Sequence, residues 1–273
     1  MATASIGVAE VRSDLLDEQQ ALDEIVADLA PERWAEPTPS PRWTVTHQIG
    51  HLAYFDRAAA TAIAEPDAFG PMVEELWAMA GEGEEAVDAY TLQAYLPLGP
   101  GELLDRWRAD RDALADAATR LDDDTRVAWY GPSMGAKSFL TARLMEVWAH
   151  GQDIVDAVGA SRPATDRVRH IARLGFITRG WSYANRGLEA PATEVRVELT
   201  APSGATWTFG PDDAPESIVG PAEDFCLVTT QRRHVDDTAL VVAGDAAREW
   251  MTTAQAFAGP PTDGPPATKE GRA

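Results

Sequence analysis

Two pairs of residues in this sequence carry side chains that bind metal ions, and each pair has the spacing of one helical turn. The pairs are His47 with His51 and Glu146 with His150, each four positions apart. On a helix, this spacing places both side chains on the same face. Two imidazole nitrogens and one carboxylate oxygen, drawn from two such helices, could hold a divalent cation and leave a position open for water or substrate.

The surroundings of Glu146 and His150 favour a metal site over a surface ion pair. The two residues lie in an apolar stretch that includes Leu144, Val147 and Trp148. A buried carboxylate and a buried imidazole need partners, because an isolated buried charge is costly. A cation is one such partner. A metal-free hydrogen bond between a histidine and a glutamate of neighbouring helices is the alternative.

The remaining histidines differ in how well they suit a third ligand position. His47 falls in the first turn of its predicted helix, where it is partly solvated, whereas His51 lies deeper, so the sequence slightly favours His51. His170 is flanked by arginines and is predicted to be exposed. His234 follows two arginines in a predicted loop and is interpreted as polar surface.

The single cysteine, Cys226, excludes an internal disulfide and a Cys-x-x-Cys metal site. Its neighbours are Phe225, Leu227 and Val228. This apolar setting predicts a buried and inert thiol rather than a nucleophile.

The composition argues against several classes of partner. The chain has 273 residues with 23 Lys+Arg and 44 Asp+Glu, so its formal net charge is 23 − 44 = −21. Nucleic acids and anionic lipids bind basic surfaces, so we expect neither as a partner. We see no signal peptide and no apolar run of about 18 residues, and we expect a cytoplasmic protein that does not span a membrane.

The elements that must position the candidate ligands follow from the hydrophobic pattern. Apolar residues recur at helical spacing in segments at 15–29, 44–64, 73–79, 102–121, 139–158 and 165–185. Thr44 is a suitable N-cap for the second of these helices, and Pro66 to Gly70 predict its end. Helices of this length joined by medium loops indicate a bundle.

The pattern changes after Glu189 to the alternation that is typical of strands. It predicts strands at 195–199, 207–209, 217–219 and 239–242, with helices at 221–231 and 246–257. The predicted fold class is therefore α+β. A helical bundle occupies 1–187, a smaller α+β domain occupies 190–258, and a tail rich in Pro and Gly over 259–273 is predicted to be disordered.

The two motifs that carry the candidate ligands resemble those of DinB-like metal-binding four-helix bundles, and more narrowly those of the mycothiol-dependent maleylpyruvate isomerase family. The motifs are WTVTHQIGHLA at 43–53 and RLMEVWAHGQD at 143–153. Segments in the last third resemble a small sterol-carrier-like or wyosine-formation-type domain, namely GPAEDFC at 220–226, QRRH at 231–234 and QAFAG at 255–259. The resemblance covers nearly the whole chain.

The resemblance implies a site and a chemistry. By analogy with the family pattern, His51, Glu146 and His150 are the metal ligands and catalytic residues, and position 47 is not a ligand position. The metal is a divalent ion, with zinc typical, and mycothiol is the thiol cosubstrate, held as a thiolate. Arg232 and Arg233 are candidates for binding this cosubstrate.

Taken together, these features favour a metal-dependent thiol transferase or isomerase, acting on a small-molecule electrophile as a monomer or homodimer. Two alternatives stay open: a module that binds a small molecule or lipid and holds a structural metal, and a metal-dependent hydrolase. Asp153, close to His150 along the same predicted helix, is either an acceptor that supports the site or a solvated helix residue.

Overall fold

Amphipathic helices build the first part of the chain. The computed structural model describes residues 6–268. Its first helices are α1 (Val8–Ala27), α2 (Val45–Ala64), α3 (Pro66–Glu82), α4 (Glu84–Leu92), α5 (Pro100–Ala118) and α6 (Ala136–Val158). A 3-10 helix over Pro31–Ala35 follows α1. The antiparallel strands β1 (Arg126–Val127) and β2 (Met134–Gly135) come before α6.

The long helices α1, α2, α5 and α6 form a four-helix bundle, as the sequence predicts. α1 packs against α5 and α6, and α2 packs against the same two helices. Their inward stripes include the fully buried leucines Leu22, Leu52, Leu114 and Leu144. Burying one such side chain contributes about 1.5–3 kcal/mol. The packing makes α2 and α6, which carry the candidate ligands, direct neighbours.

The segment between α2 and α5 contains more helix than the sequence predicts. The sequence predicts a helix end at Pro66 to Gly70, but a new helix, α3, begins at Pro66 and continues through Pro71. Proline is tolerated in a first helical turn because its missing N–H would have no partner there. Phe69 anchors α3 by burying its ring, while Trp77 on the same helix is 60% exposed.

The second part of the chain is a smaller α+β unit, which confirms the predicted fold class. Its elements are α7 (Val168–Ile177), α8 (Arg179–Ala184), β3 (Val195–Thr200), β4 (Thr206–Phe209), β5 (Glu216–Pro221), α9 (Ala222–Thr229), β6 (Val241–Ala243) and α10 (Asp245–Thr253). The strands form one sheet in the order β4-β3-β5-β6, with β3 parallel to β5 and the outer pairs antiparallel. Val195, Val197 and Leu199 alternate inward along β3.

The chain divides into two compact units between Arg162 and Pro163, whereas the sequence analysis places the boundary at 187–190. α7 belongs to the second unit because it packs against α9 and β4, and α8 belongs to it because α8 packs against α10. On the other side of the division, Arg162 pairs with Glu18 of α1 at 3.2 Å. Helical periodicity identifies a buried face, but it does not say which element covers that face.

Residues 259–268, within the predicted disordered tail, form defined hydrogen bonds inside the second unit. Thr268 donates to both carboxylate oxygens of Asp237, through its hydroxyl and its backbone N–H, each at 2.8 Å. Gln231 Nε2 donates to the carbonyl of Thr262 at 2.7 Å. These partners come from the folded unit, which is why composition alone did not indicate them. Residues 269–273 of the tail lie outside the described residues.

Within residues 6–268, no helix combines the length and the apolar character that crossing a bilayer requires.

Candidate metal centre

The start of α2 decides which of its histidines reaches the site. Thr44 is the N-cap of α2, and its hydroxyl lies 2.8 Å from His47 Nδ1, while its backbone N–H donates to the same nitrogen at 3.3 Å. His47 therefore completes a capping box, in which cap and third residue satisfy each other. His51, one turn later, points into the bundle instead.

The structure brings His51, Glu146 and His150 together. Each offers one ligand atom, and these atoms all lie within 4.8 Å of one another. Glu146 Oε2 lies 3.0 Å from His150 Nε2 and 3.7 Å from His51 Nε2. The two imidazole rings are 4.4 Å apart between centroids. One carboxylate oxygen thus faces two imidazole nitrogens, a donor set that suits a divalent cation.

The electrostatics of the cluster keep its ligands in the forms that bind cations. Burial and, to a smaller extent, the neighbouring His150 together lower the pKa of His51 to about 4, against the opposing effect of Glu146. Burial alone would raise the pKa of Glu146, but hydrogen bonds with His150 and His51 hold that pKa well below its usual range. At neutral pH the site therefore offers a neutral imidazole at His51 and a carboxylate at Glu146, as metal binding requires.

Aromatic rings cover the cluster. Trp43 stacks on His150 with ring centroids 5.8 Å apart and lies 5.0 Å from the ring of His51. The ring of Phe55, one turn after His51 on α2, has its centroid 4.6 Å from that of His51. Trp43 is held in place by α4, because its Nε1 donates to Asp88 Oδ2 at 3.1 Å. Rings that displace water strengthen the electrostatic interactions beneath them.

A glutamine that the sequence analysis did not single out joins the site. Gln48 is fully buried, and its Oε1 lies 2.5 Å from His150 Nδ1. Its amide nitrogen donates to Asp153 Oδ2 at 3.4 Å. Asp153 is buried, not solvated, and it reaches His150 through Gln48. The available sequence signal was a polar residue between the apolar positions Val45 and Ile49 of an amphipathic helix.

A buried ion pair lies one turn before Glu146 on α6. Arg143 donates to Asp56 Oδ1 of α2 at 3.1 Å, and both side chains are almost wholly buried. Asp56 also accepts hydrogen bonds from Gln19 and Trp107. Burial raises the pKa of Asp56, against the lowering effect of Arg143. Through this network, all four bundle helices are tied together beside the candidate site.

The other predicted functional residues belong to the second unit. Arg232 and Arg233 lie in the turn after α9, and their backbone N–H groups both donate to the carbonyl of Leu227. His234 caps the short helix Val235–Asp237 by accepting from the backbone of Asp236.

His170 and Cys226, both in the second unit, are buried. The prediction that His170 is exposed is wrong, since it is only 5% exposed; it borders the buried stripe of α7 formed by Val168 and Ile171. Cys226 is buried, and its thiol donates to the carbonyl of Val168 at 3.5 Å. Burial raises the pKa of this thiol well above its usual value, so Cys226 stays protonated.

Each of the two units contains a segment that matches a known protein family. Residues 15–155 match the family described as mycothiol maleylpyruvate isomerase N-terminal domain, and residues 191–243 match the family described as wyosine base formation. Uncharacterized proteins of two Mycobacterium tuberculosis strains are 46% identical over 252 residues, which is 92% of this chain and 96% of theirs.

Solved structures share the fold. The crystal structure of the mycothiol-dependent maleylpyruvate isomerase aligns with a TM-score of 0.58 at 17% identity, covering 89% of this chain and 95% of that one. A mutant of that isomerase aligns with a TM-score of 0.56 at 18% identity, covering 85% and 92%. The predicted resemblance of the bundle to this DinB-like fold is thereby confirmed.

Proposed function

This chain belongs to the mycothiol maleylpyruvate isomerase N-terminal domain family, and from that membership we propose that it is a metal-dependent thiol isomerase or transferase. Its cosubstrate is a low-molecular-weight thiol, mycothiol, and its substrate is a small electrophile. The observation that carries the proposal is that Glu146 Oε2 lies 3.0 Å from His150 Nε2 and 3.7 Å from His51 Nε2, between α2 and α6.

The residues present fit a zinc ion. Two imidazoles and one carboxylate are a ligand set of catalytic zinc sites, which keep a further position open. When bound, such a cation favours the thiolate form of a coordinating thiol, which is its nucleophilic form. The carboxylate of Glu146 offsets part of the cation's charge, and the neutral imidazole of His51 needs no proton to be displaced at neutral pH.

The remaining residues of the site favour thiol chemistry by controlling water and by leaving the sulfur to the cosubstrate. Trp43 and Phe55 cover the imidazoles, which limits the access of competing water. The sole cysteine, Cys226, is buried and protonated, so the nucleophilic sulfur must come from a bound thiol. At an activated carbon–carbon double bond, the thiolate adds to one carbon and the electron pair of the double bond moves onto the conjugated carbonyl oxygen. A transferase then protonates the adduct and releases the thioether, whereas an isomerase lets the carbon–carbon bond rotate and expels the thiolate, which restores the double bond.

We keep Arg232 and Arg233 as the candidates for contacting the thiol cosubstrate. Guanidinium groups donate several hydrogen bonds in a fixed geometry and suit polar or anionic groups. Substituting either residue by lysine should raise the KM for mycothiol while leaving bound metal unchanged. Equal KM values in wild type and variants would remove these residues from the proposal.

The central test is elemental analysis combined with an activity assay. We expect wild-type protein to hold about one divalent ion per chain, and His51→Ala, Glu146→Ala and His150→Ala each to lose it. Wild type incubated with mycothiol and either maleylpyruvate or another electrophile should give isomerised product or a thioether adduct by mass spectrometry, and the three variants should give none.

His47→Ala is the matched control, because it removes a histidine from the same helix without touching the cluster. It should cost about 1 kcal/mol of stability through the lost capping-box hydrogen bonds with Thr44 and retain the metal. His51, Glu146 and His150 are called the triad below. Wild-type protein without metal, or triad variants that keep both metal and activity, would contradict the proposed function.

A further inference from the structure

Gln48 contacts Nδ1 of His150, the ring nitrogen that does not face Glu146. It lies on α2 one turn before His51, is fully buried, and places its Oε1 2.5 Å from His150 Nδ1. The other ring nitrogen of His150, Nε2, faces Glu146 Oε2 at 3.0 Å. Each ring nitrogen of His150 therefore has a polar partner: the Gln48 amide at Nδ1 and the Glu146 carboxylate at Nε2.

The direction of each hydrogen bond behind His150 is fixed by its neighbours. The Thr38 hydroxyl donates to the carbonyl of Trp43 at 3.0 Å, so its oxygen accepts from Gln48 Nε2 at 2.9 Å. Asp153 Oδ2 is an acceptor that already receives the hydroxyl of Ser40 at 3.0 Å, and it receives Gln48 Nε2 at 3.4 Å. With its nitrogen facing two acceptors, Gln48 must turn its oxygen to the histidine.

This orientation determines the tautomer of His150. An amide oxygen can only accept, so His150 Nδ1 must carry a hydrogen and donate it to Gln48. The lone pair of a neutral imidazole then lies on Nε2, directed at Glu146. An imidazole lone pair and a carboxylate oxygen 3.0 Å apart repel each other unless a proton or a metal cation lies between them. In the metal-free site a proton makes the hydrogen bond with Glu146, and a bound cation would take the place of that proton.

We propose that Gln48 is a positioning residue of the metal centre, which fixes the tautomer and ring orientation of His150 so that its Nε2 lone pair points at the cation. The inference rests on the proposed metal centre. Groups that hold the second nitrogen of a ligating histidine orient the ring and tune its basicity. Gln48 also connects this candidate ligand to Thr38, in the segment before α2, and to Asp153 on α6, which in turn accepts from Ser40.

The test uses two substitutions that differ in polarity. Gln48→Leu removes the acceptor at similar volume, so the affinity for Zn²⁺ should fall about 10–100-fold. In the double variant Gln48→Glu with Asp153→Asn, the donor and acceptor exchange places: the new carboxylate accepts from His150 on one oxygen and from the new amide on the other. This variant should recover most of the lost affinity, which a purely structural role for Gln48 would not produce.

Affinity is measured by competition with a chromogenic Zn²⁺ chelator on the full chain, and the visible spectrum of Co²⁺-loaded protein reports the coordination. The Co²⁺ bands should change in Gln48→Leu and return in the double variant. Gln19→Leu is the matched control, since Gln19 is a buried glutamine of α1 bonded to Asp56. It should lower stability and leave Zn²⁺ affinity unchanged.

The outcomes separate this inference from the proposed function. If wild type binds Zn²⁺ and the triad variants do not, wild-type affinity in a folded Gln48→Leu overturns the role of Gln48 alone. A double variant as weak as a folded Gln48→Leu does the same. If Gln48→Leu does not fold, a folded double variant that still binds Zn²⁺ about 10–100-fold more weakly than wild type overturns the role of Gln48. Wild type without Zn²⁺ affinity overturns the proposed metal centre and this inference with it.

Discussion

At the scale of single residues, the most consequential feature outside the triad is the ion pair between Arg143 and Asp56. Both side chains are enclosed by the bundle, and Asp56 accepts further hydrogen bonds from Gln19 and Trp107. A buried ion pair adds little to stability compared with apolar packing. Removing one partner, however, leaves the other charge buried without compensation and is strongly destabilising. The pair therefore constrains how α2 and α6 can pack beside Glu146.

Arg143→Met should lower the free energy of unfolding by about 3–5 kcal/mol at pH 7, because it leaves the Asp56 carboxylate buried without its counter-charge. Burial already raises the pKa of Asp56, and losing Arg143 raises it further. Since a raised carboxyl pKa favours the folded state at low pH, the loss should be smaller at pH 5 than at pH 7. Urea denaturation at both pH values measures this, with exposed Arg120→Met as the control. An equal loss at both pH values would contradict the explanation.

At the scale of elements, α1 and α5 are joined by a charged clamp. Arg108 of α5 donates two hydrogen bonds to the Asp23 carboxylate of α1, at 2.7 and 2.8 Å, and Arg111 lies 2.9 Å from the same carboxylate. Burial would raise the pKa of Asp23, but Arg108 and Arg111 lower it overall. These ion pairs stabilise the packing of α1 against α5, and the other two bundle helices carry the candidate metal ligands.

Asp23→Asn should destabilise the bundle by about 1.5–3 kcal/mol at pH 7, the usual contribution of hydrogen bonds to charged groups. A carboxyl whose pKa is lowered by folding contributes stability above its unfolded pKa of about 3.9, and loses it as the pH falls through the folded value. The difference between wild type and Asp23→Asn should therefore shrink in urea denaturations below about pH 4. Asp105→Asn, an exposed carboxylate near Arg108, serves as the control. A difference that stays constant with pH would exclude the electrostatic origin.

At the scale of the whole molecule, the acidic excess dominates the long-range electrostatics. With 44 acidic and 23 basic residues, like charges repel each other in the folded state more than in the expanded one. Salt screens this repulsion over about 10 Å at 0.1 M. The same charge is consistent with a small-molecule substrate rather than a polyanionic partner.

Raising NaCl from low to moderate concentration should therefore raise the Tm. A gain of about 1 kcal/mol corresponds to about 2–4 °C for chains of this size range. Differential scanning calorimetry in NaCl, with an equal osmolality of sucrose as the control for solvent exclusion, measures the shift. A Tm that falls with NaCl would mean that ion pairs such as the Asp23 clamp outweigh the net repulsion.

The sequence was sufficient for features that depend on local chemistry and spacing. Glu146 and His150 lie one turn apart on any helix, so their common face was predictable, and the alternation along 195–199 predicted the buried face of β3. The charge excess and the single cysteine needed no structure at all. The motifs also indicated the family, whose membership the comparisons show.

Tertiary structure alone decided which elements face each other. Gln48 and His150 are 102 positions apart, so no local pattern shows that the amide of one holds the ring of the other. The same holds for the assignment of α7 to the second unit, since its apolar stripe is satisfied by α9 and β4. Periodicity specifies that a face must leave water, whereas the partner of that face is set by the packing of the whole chain.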